Sequence, residues 1–214
     1  MLDFLMISTR SPKRGIVEIF PKFKVGKSSD LMIKGGDFYA IWNESAKLWS
    51  TDEDVALYLI DKELDVYANE HKSGFEDTVR VLHMWDSDSG MIDKWHKYCQ
   101  KQQRDSYHAL DEKLIFADAV TKKEDYASKK LPYAMSDGDA PAYEEIISTL
   151  YDESERKKIG WAIGAIISGD SVNIQKFLVM YGSAGTGKGT ILKIVEKLFE
   201  GYWAAVDVKA LGNV

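Results

Sequence analysis

The feature that most constrains this chain is the glycine-rich segment YGSAGTGKGT at residues 181–190. Gly182 is followed by four residues and then by Gly187 and Lys188, which is the spacing of a P-loop. Gly182, Gly185 and Gly187 permit backbone angles that side chains forbid, so successive N–H groups can converge on an anion. Lys188 adds a positive charge that can reach the outer phosphates of a nucleotide.

The surrounding sequence predicts the strand, loop and helix that a phosphate-binding loop requires. Phe177–Tyr181 is a short apolar run, typical of a buried parallel strand. After the loop, apolar residues recur at helical spacing up to Gly201: Ile191, Leu192, Ile194, Val195, Leu198 and Phe199. We therefore predict an ATP-binding loop rather than a glycine-rich linker with a chance lysine. Its predicted residues are Gly182, Ser183, Ala184, Gly185, Thr186, Gly187, Lys188, Gly189 and Thr190, with Lys188 as the catalytic residue.

One position departs from the P-loop pattern and bears on the metal ion. The pattern places Ser or Thr directly after the lysine, where its hydroxyl binds Mg²⁺. Here that residue is Gly189, and Thr190 follows it. Either Thr190 takes over the metal contact, or the Mg²⁺ that accompanies ATP is held by water and by residues not present here.

Composition limits the class of protein. The chain has 214 residues, 45% of them hydrophobic, which suits one large or two small domains. No stretch approaches the roughly 20 apolar residues that span a bilayer, so we expect no membrane association. The start of the chain lacks the features of a signal peptide, and the single Cys99 excludes an internal disulfide. These features favour the cytoplasm.

The hydrophobic patterns predict an α+β fold. The predicted domains are a mixed N-terminal domain at 1–110, an irregular and helical linker at 111–175, and the start of a P-loop domain at 176–214. We predict a loosely structured basic segment at 1–29 with a strand at Ile16–Phe20, then a small antiparallel sheet with turns at 35–37 and 43–45. Predicted helices cover Val55–Asn69, Met91–Arg104 and Ser154–Ser168, and further short strands cover Leu114–Ala117 and Trp203–Val208.

The late position of the loop indicates what the chain can do alone. A P-loop ATPase needs several parallel strands and an acidic residue on a later strand that holds Mg²⁺. Only 24 residues follow Thr190, and Asp207 comes too soon after the loop for that role. We therefore expect the chain to stop inside its ATPase domain and to be inactive by itself.

Residues 114–212 resemble a known family. Their features are LIF at 114–116, LPY at 131–133, the phrase G-x-x-x-x-G-D from Gly164 to Asp170, and QKFLVMYG before the loop. In this order they resemble the region leading into the ATPase of phage and poxvirus primase-helicases of helicase superfamily 3. The resemblance implies a replicative DNA helicase that forms a ring, usually a hexamer, hydrolyses ATP and moves on single-stranded DNA. It implies that Gly182–Lys188 hold the triphosphate.

The best candidate for DNA contact lies on the predicted helix at 91–104. Lys94, Lys97, Lys101 and Arg104 fall within a stripe of about 80°, since each residue turns a helix by about 100°. Met91, Trp95, Tyr98 and Cys99 gather on the other side and predict a core face. An ordinary solvated face is the alternative. Trp42, Trp49, Trp85 and Trp95 are predicted core residues rather than base-stacking residues, and His83, His96 and His108 ordinary histidines rather than zinc ligands.

Two other functions stay open from the sequence. Gly-Lys-Gly-Thr also occurs in nucleoside-monophosphate kinases, but those enzymes carry most of their chain after the loop. A non-enzymatic DNA-docking or assembly module, with the loop as a structural remnant, is the second alternative.

Overall fold

Contacts divide the chain into two units. The computed structural model describes residues 1–24, 26–34, 38–72, 78–86, 90–102, 108–169 and 171–206. The first unit contains Met1–Leu110 and Val120–Ser128, and the second contains Asp111–Ala119 and Lys129–Val214. The fold is α+β, as predicted. The predicted boundaries of the three domains stay a prediction.

Two three-stranded sheets form the framework of the first unit. The first has the order β1 (Leu5–Lys13), β2 (Ile16–Phe23), β6 (Thr78–Val81), with β1 antiparallel and β6 parallel to β2. The second has the order β3 (Leu31–Lys34), β4 (Phe38–Asn43), β5 (Leu48–Ser50) and is antiparallel throughout. The predicted small antiparallel sheet is therefore confirmed.

The N-terminal segment corrects one prediction. Residues 1–29 were predicted to be loosely structured around a single short strand, but most of them form the β1–β2 hairpin. The basic residues do not prevent a strand, because alternate side chains point to opposite faces of a sheet. Val17 and Ile19 of β2 are buried, whereas Lys22 is exposed.

The turn at 43–45 is held by one side chain. Asn43 Oδ1 accepts hydrogen bonds from the backbone N–H groups of Ser45 and Ala46, both at 3.1 Å. This confirms the predicted turn between β4 and β5. The turn predicted at 35–37 lies outside the described residues.

Two helices pack on these sheets. Helix α1 covers Glu53–His71, and the residue before it is Asp52, whose carboxylate accepts from the N–H of Asp54 at 2.9 Å. Helix α2 covers Met91–Gln102 and buries the predicted core face of Met91, Trp95, Tyr98 and Cys99. Its predicted continuation to Arg104 lies outside the described residues.

Trp95 lies at the centre of the largest core cluster. Its ring centroid is 5.5 Å from that of Phe4, 5.3 Å from Phe23 and 5.4 Å from Tyr39, and its Nε1 donates to the Tyr39 hydroxyl at 2.9 Å. Buried residues of α1, such as Leu57 and Ile60, belong to the same cluster. The core prediction is confirmed for Trp42, Trp49 and Trp95, and it is wrong for Trp85, which is 60% exposed.

Residues 120–128 belong to the first unit, where they form hydrogen bonds with residues in and next to β5. The N–H of Trp49 donates to the carbonyl of Ala127 at 2.8 Å, and its indole Nε1 donates to the carbonyl of Lys123 at 2.9 Å. The Thr121 hydroxyl donates to the carbonyl of Lys47. A short 3₁₀ helix, Lys123–Asp125, lies within this segment.

The second unit is helical among its described residues. It contains α3 (Pro141–Leu150), α4 (Glu153–Ser168), α5 (Ser171–Ile174) and α6 (Lys188–Leu198). The predicted start of α4 is confirmed, since Asp152 Oδ1 accepts from the N–H of Glu155 at 2.9 Å. Ile147, Ile159 and Ile191 form its buried core.

The strands predicted in the second unit are not formed. Residues 114–117, 177–181 and 203–206 are not in strands, and residues 207–208 lie outside the described part. Sequence preference alone cannot make a strand, because backbone N–H and C=O groups need a neighbouring strand to pair with. Only a short pairing occurs near 114–117, where Leu131 donates to Ile115 at 2.7 Å and Ala117 to Tyr133 at 3.0 Å.

Within the described ranges, no helix combines the length and apolar character needed to cross a bilayer.

The Glu53 carboxylate makes the stability of the first unit depend on pH. Burial raises the pKa of Glu53, but hydrogen bonds from Tyr39 and His96 bring it below its ordinary value of 4.5. A lowered pKa stabilises the fold above that ordinary value, and this stabilisation disappears as the pH falls through the folded-state pKa. We expect Glu53→Gln to lower the free energy of unfolding at pH 7 by less than about 1 kcal/mol, since the pair with His96 is half exposed.

Urea unfolding of both proteins between pH 7 and about pH 3 would measure this difference. The gap between wild type and Glu53→Gln should close at the acidic end. A gap that is constant across the series would show that the charge of Glu53 does not contribute.

Candidate functional site

The glycine-rich loop leads directly into helix α6. Gly187 is the residue before the first helical residue, Lys188, and its φ is 78°. Gly182 and Gly185 also have positive φ, 148° and 83°. All three glycines of the motif therefore adopt backbone angles that other residues rarely adopt. This explains why glycine occupies these three positions. The N–H of Thr190 already donates to the carbonyl of Gly187 at 3.0 Å. The N–H groups that precede it at a helix start generally lack a partner within the helix and can bind an anion.

Lys188 folds back over the loop. Its Nζ donates to the carbonyl oxygens of Gly182 at 3.0 Å and Ser183 at 2.7 Å, and to Thr186 Oγ1 at 3.0 Å. An ammonium group has three N–H donors, so these three acceptors satisfy all of them. The positive charge is thereby held at the centre of the loop.

Thr186 links the two sides of the loop. Its hydroxyl accepts from Lys188 and donates to the carbonyl of Ser183 at 3.0 Å. Sequence reasoning assigned Thr186 only to the ATP-binding stretch, because a motif gives spacing and not the hydrogen-bond partners within the loop. A Cβ built on Gly182 would lie 3.6 Å from Thr186 Oγ1 and 3.9 Å from Lys188 Nζ, and therefore on the inner side of the loop.

Gly187 has a second reason to be glycine. A Cβ at this position would lie 2.6 Å from Leu150 Cδ1 and 2.9 Å from its Cδ2, so the end of the Leu150 side chain would have to move. Leu150 ends α3, so the absence of a side chain at Gly187 lets α3 approach the start of α6. No motif contains Leu150, and its role is visible only in the structure.

The residues predicted for Mg²⁺ lie on the first turn of α6. Gly189 has no side chain, and Thr190 is exposed. Consecutive helical residues are about 100° apart, so the Thr190 hydroxyl points away from the position that a hydroxyl at 189 would occupy. Among the described residues, no group of three or more His, Cys, Asp or Glu side chains could hold a metal ion. A role of Thr190 in metal binding stays a prediction.

An apolar cavity of about 530 Å³ lies beside the loop. It is lined by α4, by residues 176–180 and by α6, including Ile159, Trp161 and Leu192. The segment before the loop is also open to solvent, with Phe177 86% exposed and Tyr181 92% exposed. The run predicted as a buried strand is therefore present as an exposed apolar segment.

The lysines predicted to contact DNA lie together on α2. Lys94, Lys97 and Lys101 are exposed, on the side of the helix away from the buried Trp95 and Cys99. Arg104 lies outside the described residues. The structure thus brings three of the four cations onto one solvated side, which suits phosphate contact and an ordinary surface equally.

The histidines have local partners. His96 Nε2 bonds to the Glu53 carboxylate, and His83 Nε2 to Asp65 Oδ1 at 2.8 Å. Cys99 is buried in the core, whereas His96 is exposed, and burial raises the pKa of the Cys99 thiol. His108 stacks on Tyr126, with ring centroids 3.4 Å apart.

Comparison with known proteins gave no match, either to a protein-family model or to a curated protein or solved structure. The resemblance of residues 114–212 to superfamily 3 helicases therefore rests on sequence motifs.

The geometry at Gly187 can be tested by a pair of alanine substitutions. Gly187→Ala should destabilise the loop by about 1–3 kcal/mol, because it forces a side chain into a positive φ and against Leu150. Gly189→Ala is the matched control. It lies in the helix with nothing within 4 Å of the new Cβ and should be neutral or stabilising by up to about 1 kcal/mol.

Thermal and urea unfolding of the three proteins, followed by circular dichroism, would give both free-energy differences. Equal stabilities of the two variants would contradict the backbone strain expected at Gly187.

Proposed function

We propose that this chain is part of an ATP-dependent DNA helicase or primase-helicase of the replicative, phage type, and that its loop at 182–190 binds ATP. The observation that carries the proposal is the position of Lys188 Nζ, surrounded by the loop oxygens of Gly182, Ser183 and Thr186. A cation at the centre of a glycine loop, before a helix N-terminus, has the donor set that a triphosphate requires.

Binding exchanges the contacts of Lys188. Its ammonium leaves neutral carbonyl oxygens and bonds the charged oxygens of the β- and γ-phosphates, while the loop N–H groups bond the remaining oxygens. The N-terminal end of α6 adds its positive dipole. Mg²⁺, if it accompanies ATP, would neutralise phosphate charge. Thr190, whose side chain is turned about 100° from that of residue 189, is the residue proposed to hold it.

The exposed apolar segment supports the same proposal. Phe177–Tyr181 has the composition of a buried strand, but among the described residues no strand pairs with it. Most of its side chains are exposed. A strand that paired with this segment would extend the parallel sheet that a P-loop domain requires and would cover the apolar cavity beside α4 and α6.

The DNA-related part of the proposal rests on the resemblance and on charge. The motifs at 114–212 resemble helicases that form hexameric rings on single-stranded DNA in the cytoplasm of the host. The exposed lysines of α2 offer positive charge that a nucleic acid backbone can use. Single-stranded DNA and other copies of the same chain are accordingly the proposed partners.

Substitution of Lys188 tests ATP binding. We expect Lys188→Ala to weaken binding of Mg-ATP to the purified chain by about 10- to 100-fold, because hydrogen bonds to charged groups are worth about 1.5–3 kcal/mol. Isothermal titration calorimetry would measure it. Lys193→Ala, which removes an exposed lysine of the same helix, is the matched control and should bind as wild type does.

The same two variants test the helicase assignment in the intact protein. Lys188→Ala should lose DNA-stimulated ATP hydrolysis and duplex unwinding, whereas Lys193→Ala should keep both. Normal unwinding by Lys188→Ala would refute a helicase, and unchanged ATP affinity would refute the binding site itself.

The lysines of α2 are tested by charge removal. If Lys97 and Lys101 contact phosphates, changing both to Gln should weaken binding of single-stranded DNA and flatten its salt dependence. The slope of log affinity against log salt should fall by about 0.7 for each phosphate that is no longer neutralised. The charge-matched control changes Lys62 and Lys72, which are also exposed.

Fluorescence anisotropy over a salt series would compare the two double variants. Identical slopes for both would leave the lysine stripe as an ordinary solvated face.

A further inference from the structure

Three aromatic rings of the first unit form a continuous stack. Trp49 and Tyr126 are nearly parallel, with an angle of 11° between their planes and 6.3 Å between centroids. His108 follows on Tyr126 with an angle of 6° and a centroid distance of 3.4 Å. Trp49 is buried, Tyr126 is half-buried and His108 is exposed, so the stack runs from the core to the surface.

The segment at 120–128 fixes the middle ring. Both N–H groups of Trp49 bond to this segment, at the carbonyls of Ala127 and Lys123. Tyr126 follows the 3₁₀ helix with a φ of 46°, a left-handed conformation that non-glycine residues rarely adopt. Such conformations persist where the surroundings impose them, and they are frequent at binding sites.

Polar contacts fix the opposite side of the same region. Asp3 Oδ2 accepts from the N–H of Ser29 at 2.6 Å and from its hydroxyl at 2.8 Å. Lys123 Nζ donates to Ser29 Oγ at 3.1 Å and also pairs with Asp30. Loop 27–30 is thus tied to the N-terminus and to the 3₁₀ helix.

A cavity of about 310 Å³ lies between these two sides. Its apolar wall contains Leu31, Met32 and the stacked rings Trp49, Tyr126 and His108. Its polar wall contains Lys27, Ser28, Ser29, Lys123 and Glu124. The volume is at the low end of the range of about 300–1,000 Å³ for small-molecule sites. It therefore suits one planar ring system with a polar substituent rather than a large cofactor.

We propose that this cavity binds a nucleotide, with its base stacked on the aromatic wall at His108 and its phosphate at Lys27. A planar base can extend a stack whose last ring is exposed, and base–aromatic stacking tolerates any base. Lys27 is exposed on the rim and offers the positive charge that a phosphate requires. The site belongs to the first unit and does not depend on the loop at 182–190.

The base and phosphate have two possible sources, a free nucleotide or a single strand of nucleic acid. Two probes separate them: adenosine monophosphate, followed by calorimetry, and a labelled oligothymidylate of about 12 nucleotides, followed by anisotropy. Binding of one probe alone through His108 identifies the source and supports the site, and binding of both through His108 supports a site that accepts either source. Binding of neither probe overturns it.

The decisive variant is His108→Ala, which removes the exposed end of the stack. It should weaken binding about fivefold or more, the effect of removing the stacking partner of one base. His108→Phe keeps a ring and should restore affinity. His71→Ala is the matched control, because His71 is also exposed and stacks on a tyrosine, Tyr67, at 4.0 Å, but does not line this cavity.

Lys27→Gln should weaken oligothymidylate binding and lower its salt slope by about 0.7. All measurements are repeated with Lys188→Ala. Affinity that disappears in Lys188→Ala but persists in His108→Ala would assign the nucleotide to the loop and overturn the proposal. Equal effects of His108→Ala and His71→Ala would overturn it as well.

Discussion

The pairing of backbone groups between strands is the constraint on which the first unit depends. In the first unit, every strand has a hydrogen-bonded neighbour, and the two sheets provide the surfaces on which α1 and α2 bury their apolar sides. Trp95 of α2 lies in the core formed by these sheets and helices, and its indole Nε1 donates a hydrogen bond to the Tyr39 hydroxyl. The second unit has no such framework among its described residues, and helices alone hold Ile147, Ile159 and Ile191 together. The hydrogen bonds that hold the glycine-rich loop nevertheless form without a sheet, because they join residues within 182–188.

Two close approaches give the loop its shape. Lys188 draws Gly182, Ser183 and Thr186 together from within, and Leu150 abuts Gly187 from outside. The contacts of Lys188 depend on its charge, whereas the contact of Leu150 with Gly187 depends on side-chain volume. The two therefore respond to different substitutions. Leu150 ends α3 and Gly187 directly precedes α6, so this contact joins the end of one helix to the start of the other.

The features that sequence predicted well are those decided within a few residues. Helices α1 and α4 begin at Asp52 and Asp152 because a carboxylate caps the N–H groups that follow it, and this signal is local. Burial on α2 follows from helical spacing alone. The glycines of the loop have positive φ, as their motif predicts.

The features that sequence missed depend on distant partners. The run at 177–181 has strand composition, but a strand requires a neighbour that local sequence does not supply. The β1–β2 hairpin was missed because its basic residues suggested a loosely structured segment, although bases such as Arg10 and Lys22 are exposed on paired strands. The stack of Trp49, Tyr126 and His108 joins residues far apart in sequence, so no pattern of spacing predicts it. Gly187 illustrates both cases, since its φ was predictable and its contact with Leu150 was not.

The saturation of Lys188 by its own loop has a consequence for ligand choice. Lys188 already donates three hydrogen bonds to loop oxygens. The free energy that a ligand gains from Lys188 is therefore only the difference between bonds to the ligand's oxygens and these three bonds. A single neutral acceptor offers no gain, and a lone carboxylate replaces few of the bonds. Only an anion with several charged oxygens in a compact group outcompetes them. The triphosphate of the proposed ligand, ATP, would meet this requirement through the number and charge of its oxygens.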